Sequence, residues 1–322
     1  MSSSSSSSQT ATEVLVPAYV PAREVASLPE PPLAVVSFGE RLDGATIHVP
    51  MPQLGRIPVA EVWPARREPR VWQEAGFTLA EDGQTLFGAI AVEESEALEP
   101  LTRGVYSRAI ALVRKHGYPY FLRMWNHVGD INGVDGGTER YQRFCVGRWQ
   151  AFAEAGYALA SDLPAASAVG IQGARGLVTY FVAGRAPGMQ VENPRQVSAY
   201  HYPRRYGPKS PSFSRATVAG ETLFISGTAS VVGHETVHAG NVTAQLDETL
   251  RNIGVVAERA LPNGGLANVA VTKTYVRDAN DQASIAAALE PAMSASCAHL
   301  YLAADICRAD LLLEIEAVAR NG

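Results

Sequence analysis

The order of elements along the chain predicts an α+β protein of two consecutive modules, with mixed sheets and helices packed on one face. Three observations carry this. Short runs rich in β-branched and aromatic residues alternate with stretches of helical period. The second half repeats the alternation in cleaner form, as strand, helix, strand, helix, strand, strand. The length, 322 residues, is enough for two domains of ordinary size.

Residues 1–13 open with a serine run and read as a disordered tail. They lack the cationic start and apolar core of a secretion signal, and no later segment is a continuous apolar span, so no membrane association is expected. The first module is assigned to residues 14–197. Its residues 14–36, rich in proline and valine, suit an extended arm running over the surface. "ATIHVP" and "TLFGAIAV" are β-like, and "PLTRGVYSRAIALVRKHG" is helical, stopping at Gly117. "YPYFLRMWNHVGDIN" reads as a strand entering a polar loop, and "ERYQRFCVGRWQAFAEAG" as an amphipathic helix ended by Gly156.

The second module is assigned to residues 198–322 and begins with the connector "SAYHYPRRYGPKSPSFSRA". "TLFISGTAS" is a strand ending in a glycine turn. "NVTAQLDETLRNIGVVAERA" is a strong helix, with Val242, Leu246, Ile253, Val256 and Ala260 on one stripe and Asn241 as N-cap. The strand "NVAVTKTYVRD", a helix near "DQASIAAALEPAM", and the strands "HLYLAADI" and "LLLEIEAVA" follow. The similar element order of the two halves permits an ancient duplication.

Bulk composition excludes several classes. Net charge is −5 with dispersed basic residues, so no nucleic-acid footprint is expected. Cys145, Cys297 and Cys307 lack CxxC pairing, which argues against a disulfide framework or a cysteine zinc site and fits a reducing cytoplasm. "HETVH", residues 234–238, matches a zinc-peptidase pattern, but that chemistry needs a helix to present both histidines, and Gly233 and Gly240 leave little room for one. A polar loop and no metal is the expectation. "GTASVVG" lacks the spacing of a phosphate loop, so no nucleotide cofactor is implied.

The informative stretch is the last strand. Alternation puts Leu311, Leu313, Ile315, Ala317 and Ala319 on one face, and Leu312, Glu314, Glu316 and Val318 on the other. A carboxylate removed from water must be paired or take up a proton. The acids are therefore either satisfied by cations or functional. Arg215 stands at the entry to the first strand of this module, Lys273, Tyr275 and Arg277 share a face of another, and Tyr202, Tyr206, Arg204 and Arg205 crowd the connector. With the strand acids they suggest a pocket for an anionic organic acid, arginine being the natural clamp for a carboxylate. The loop and helix 123–152, dense in Trp, Asn, Asp and Arg, suggest a site wall.

From "LFISGTAS" through "LLLEIEAVA" the second module resembles the Rid/YjgF-type (chorismate mutase-like) deaminase fold. It departs from that family where "AHLYLAAD" lacks the arginine of the carboxylate clamp. Over roughly residues 30–322 the chain resembles the chorismatase family, through "YPYFLRMWNHVGDIN", "ERYQRFCVGR", "FSRA", "ISGTAS" and "CRADLLLEIEA". The resemblance implies two Rid-like modules and cofactor-free removal of the enolpyruvyl group of chorismate, releasing pyruvate and either 3-hydroxybenzoate or a dihydroxycyclohexadiene carboxylate. It implies Glu314 as the acid that protonates the enol ether, with Glu316 structural. Cys307 matches the hydroxybenzoate-forming subgroup. Arg215 and Arg277 are expected as principal clamps for the two substrate carboxylates, and Tyr202, Tyr275 and Arg148 as further contacts. Gly227, Thr228 and Ala229 would form a turn that lets substrate approach the sheet. Rival readings are an imine deaminase and a non-catalytic metabolite-binding protein. The oligomeric state is not readable, a monomer fitting as well as a small ring.

Overall fold

The computed structural model describes residues 15–320, so the expected tail at 1–13 lies outside them. Two large mixed sheets face each other, each backed on its outer side by two helices. The first sheet runs Ala165–Ile171, Tyr120–Gly129, Leu177–Gly184, Thr85–Val92, Phe77–Glu81, Arg70–Glu74. The second runs Met189–Val191, Ala216–Ala219, Thr222–Thr228, Leu313–Arg320, Val269–Val276, Ala298–Ala303, Gln53–Leu54. Numbering the five central strands of each half in chain order, both sheets read 4-3-5-2-1, with helices between strands 2 and 3 and between strands 3 and 4. In both, strands 3 and 4 are parallel and the other neighbours antiparallel. The halves therefore share one topology.

Helix α1 (Leu98–Lys115) and helix α2 (Arg140–Glu154) bury Val105, Ala109, Val113, Phe144 and Phe152 against the first sheet. Both are followed by a glycine in the left-handed region, Gly117 (φ +76°) and Gly156 (φ +78°), as the stop signals predict. Helix α3 (Val242–Ala260) buries Leu246, Ile253 and Val256 against the second sheet beside α4 (Gln282–Ala292). Asn241 caps α3, its Oδ1 accepting the Ala244 N–H at 3.0 Å. Along Leu313–Arg320 the alternation holds: Leu313, Ile315, Ala317 and Ala319 pack toward the helices, and Val318 joins the core between the sheets. No helix among the described residues is long and apolar enough to cross a membrane.

One expectation needs correction. The arm at 14–36 is not a surface strap in its described part: Ala18–Pro21 and Ala34–Phe38 are strands of a separate sheet, ordered Ala18–Pro21, Val59–Trp63, Ala34–Phe38, Ile47–Val49. Ala34–Phe38 is buried throughout, and Val36 and Phe38 enter the central core. The prolines of this segment stand at or outside strand ends, where a missing N–H costs no ladder bond. Strands on both sides of the expected 197/198 boundary also mix, since Met189–Val191 pairs with Ala216–Ala219 and Gln53–Leu54 pairs with Ala298–Ala303.

Candidate active site

Where the first sheet's Ala165–Ile171 edge meets the second sheet, a cleft of about 930 Å3 opens to solvent. Its walls come from both halves: Ser167 and Arg148 from the first, Tyr202, Arg215 and Gly227 from the connector and second sheet, and Cys307 from the loop before the last strand. Glu314 lies at its inner end, 4% exposed.

The two strand acids have opposite fates. Glu316 accepts from Trp125 Nε1 at 2.6 Å, Ser167 Oγ at 2.5 Å, Arg123 Nη2 at 2.8 Å and Tyr275 OH at 3.2 Å, and Lys273 Nζ lies 3.0 Å away. Burial alone would raise its pKa, but Lys273 and Arg123 outweigh burial and hold it down to about 2. Glu314 has no cation within ion-pair distance among the described residues. Burial, reinforced by the Glu316 charge, pushes its carboxyl up to about 8, against a smaller pull from Arg123 and Arg215. Glu314 is thus a neutral acid at pH 7 beside a permanent anion, the arrangement in which environment separates an acid from a base.

Gly227 makes room for that carboxyl. A Cβ there would stand 1.9 Å from Glu314 Oε1. The register shift between Ile225 and Thr228, where the strand pairs with the last one, is a bulge, not the expected turn. The close approach is to the acid.

Three guanidinium groups on the cleft wall lack a carboxylate within 4 Å among the described residues: Arg308, which donates to His234 O and Thr236 Oγ1, and the more buried pair Arg148 and Arg215. Arg215 donates from Nη2 to Tyr202 OH at 2.8 Å and Val197 O at 3.0 Å, and Arg148 donates to Ser212 O. The Nε of each is buried without a hydrogen-bond partner. An unsatisfied buried charged donor is costly, so the pair favours an anion entering the cleft. Aromatic rings hold them in place: Phe213 lies 5.9 Å from the Arg148 guanidinium and 5.3 Å from that of Arg215.

Of the expected residues, the structure thus brings Glu314, Arg215, Arg148, Tyr202, Gly227, Ala229 and Cys307 to one cleft. Three others lie off its wall. Arg277, expected as a clamp, binds Asp305 Oδ1 at 2.8 Å, Leu311 O at 2.8 Å, Arg308 O at 3.0 Å and Ile306 O at 3.2 Å, tying down the loop that carries Cys307. It stands one residue beyond the strand Val269–Val276, where the chain turns and face alternation no longer applies. Tyr275 is buried behind Glu316, and Thr228 turns its hydroxyl to Ser226 O at 2.8 Å. Sequence reasoning missed Ser167 and Arg308. Arg308 stacks 4.3 Å from the Tyr206 ring at the cleft wall. "HETVH" contributes to a hairpin, Val231–Val232 with Glu235–Thr236, so its histidines share no helix face.

A two-module α+β enzyme with a protonated acid facing a cationic cleft is the class this geometry defines. Residues 61–183 match the model of the chorismatase FkbO/Hyg5-like N-terminal domain, and residues 208–321 match that of endoribonuclease L-PSP. A 3-hydroxybenzoate synthase of Streptomyces hygroscopicus is 39% identical over 278 residues, 81% of each chain. A chorismatase of Streptomyces rapamycinicus is 38% identical, over 80% of this chain and 81% of its own. A crystal structure of a chorismatase superposes with a TM-score of 0.82 at 34% identity, covering 89% of this chain and 92% of that one. The chain belongs to the chorismatase family.

Proposed function

We propose that the protein cleaves the enolpyruvyl side chain of chorismate, releasing pyruvate and 3-hydroxybenzoate, with Glu314 as general acid. The observation that carries the reading is a carboxyl kept protonated to about pH 8 at the end of a cleft where the buried wall arginines Arg148 and Arg215 have no anionic partner. Glu314 gives its proton to the methylene carbon of the enol ether, producing an oxocarbenium ion. The neighbouring ring hydroxyl then displaces the side chain. The ring C–O bond breaks, its oxygen leaves as the keto oxygen of pyruvate, and the proton released by the hydroxyl balances the one Glu314 supplied. The resulting epoxide-like ring aromatises to 3-hydroxybenzoate, with no net uptake of water. Arg215 and Arg148 bind the two substrate carboxylates. Cys307, on the wall with Glu314 and with its thiol kept neutral by burial, favours this route by presenting a weakly polar surface in place of a water site. The name and identity of the 39% relative support the same product.

The test is incubation with chorismate, with pyruvate followed by a coupled assay and the ring product identified by chromatography, Glu314→Gln serving as control. Pyruvate with 3-hydroxybenzoate is expected. Pyruvate with the diene diol would instead assign capture of the oxocarbenium ion by water. Ammonia release from imines, or a raised Tm with chorismate but no turnover, would replace the reading by deamination or binding alone.

A further inference from the structure

The first half of the chain supplies most of what surrounds Glu316. Arg123 and Trp125 come from Tyr120–Gly129, and Ser167 from Ala165–Ile171. Lys273, which also holds Glu316, is ion-paired at 2.6 Å with Glu61 on the N-terminal sheet. The cluster therefore contains two cations, Arg123 and Lys273, and two anions, Glu316 and Glu61. Its charges balance within the cluster.

We propose that Arg123, Ser167 and Lys273 are positioning residues which lock Glu316 as a fixed anion beside Glu314, and that this fixed charge adds to burial in holding the proton on the Glu314 carboxyl. The proposal rests on reading Glu314 as the general acid. Ser167 is the joint between the two acids. Its Oγ accepts from Arg123 Nη2 at 2.5 Å and from the Gly227 N–H at 3.0 Å, and donates to Glu316 Oε2 at 2.5 Å. Gly227 is also the residue against which the Glu314 carboxyl lies. One hydroxyl from the first half thus ties Glu316 to the Gly227 backbone against which Glu314 lies.

The groups that act on Glu314 come from five elements. Its own strand gives Glu316, the strand Val269–Val276 gives Tyr275, and Tyr120–Gly129 gives Arg123. The connector gives Arg215, and the loop before the last strand gives Cys307. Burial keeps Tyr275 and Cys307 neutral. The sign of the effect then follows: Glu316 favours the protonated form of Glu314, while Arg123 and Arg215 favour the ionised form.

The test is the pH profile of kcat for the full chain with chorismate. Glu316→Gln is expected to move the alkaline limb down by about one pH unit or more, and Arg123→Gln to move it up by a similar amount. A structural role would lower kcat at every pH and leave both limbs in place, and that result would overturn the proposal. Where a charge-deleting variant does not fold, Glu316→Asp keeps the anion but draws it back by one methylene. It is expected to move the limb down by less, and an unmoved limb in the folded Glu316→Asp protein would also overturn the proposal. Loss of the general-acid reading has a different signature: Glu314→Gln would retain turnover, or the unmodified protein would show no alkaline limb.

Discussion

The carboxyl of Glu314 rests against the α-carbon of Gly227, with no space between them for a methyl group. A Cβ at Gly227 would stand 1.9 Å from Glu314 Oε1 and 3.0 Å from Ser167 Oγ. The nearest obstacle is the far end of a side chain, so in Gly227→Ala the acid moves and the backbone stays. A displacement of about 1 Å can cost about 10²-fold in rate. We expect a kcat loss of that order with Tm changed by only a few degrees, measured by steady-state kinetics and thermal melting side by side.

Replacing the acid itself separates chemistry from binding. Glu314→Gln is expected to reduce kcat by about 10²–10⁴-fold, the usual contribution of a general acid, while chorismate still raises Tm. In the unmodified protein kcat is expected to fall as pH rises through about 8, because the ionised carboxyl has no proton to give.

The same proton makes stability depend on pH. Glu314 holds it in the folded state to about pH 8, whereas in the unfolded chain it is lost near 4.5. Over that window the native state binds more protons than the unfolded state, so its contribution to stability declines as pH rises. Glu314→Gln removes the decline, and its Tm is expected to exceed that of the unmodified protein at pH 8 but not at pH 4.5. Glu316 acts in the opposite sense. Its stabilisation is present above 4.5 and is lost as pH falls toward about 2.

Arg148 and Arg215 are expected to appear in KM. A hydrogen bond to a charged group is worth about 1.5–3 kcal/mol, so Arg148→Gln or Arg215→Gln should raise KM by about 10- to 100-fold. An unchanged KM in both would remove them from substrate binding.

Arg277 is expected to behave differently from those two. Its bonds to Asp305 and to the carbonyls of Ile306, Arg308 and Leu311 make it a brace for a loop, and Arg277→Ala should cost about 2–3 kcal/mol of stability. KM measured well below the melting temperature should change by less than about threefold. A tenfold rise in KM at unchanged Tm would return Arg277 to the role of a clamp.

What could be read from the chain follows from how local each signal is. The acids at 314 and 316 stood out because an ionised group in an apolar strand demands an explanation, and their strand supplied its own periodicity. Helix α3 was equally plain, with a cap, a stripe and a length that agreed. Arg123 and Ser167 carry the same kind of signal, a polar residue within an apolar strand, but only the strand order of the first half brings them to Glu316, and no local pattern encodes that order. Counting alternate residues as far as Arg277 runs past the end of its strand at Val276, where the count no longer gives the face. Its partner Asp305 is 28 residues away and became its neighbour only on folding.

The shared strand order of the two halves has a further consequence. In an assembly of identical subunits, any substitution appears in every wall of every interface at once. Here the two walls of the cleft are encoded at different places in one gene, so Ser167 and Glu314 can be altered independently. One half can give up reactivity and become the electrostatic setting for the other, a division of labour that strict symmetry forbids.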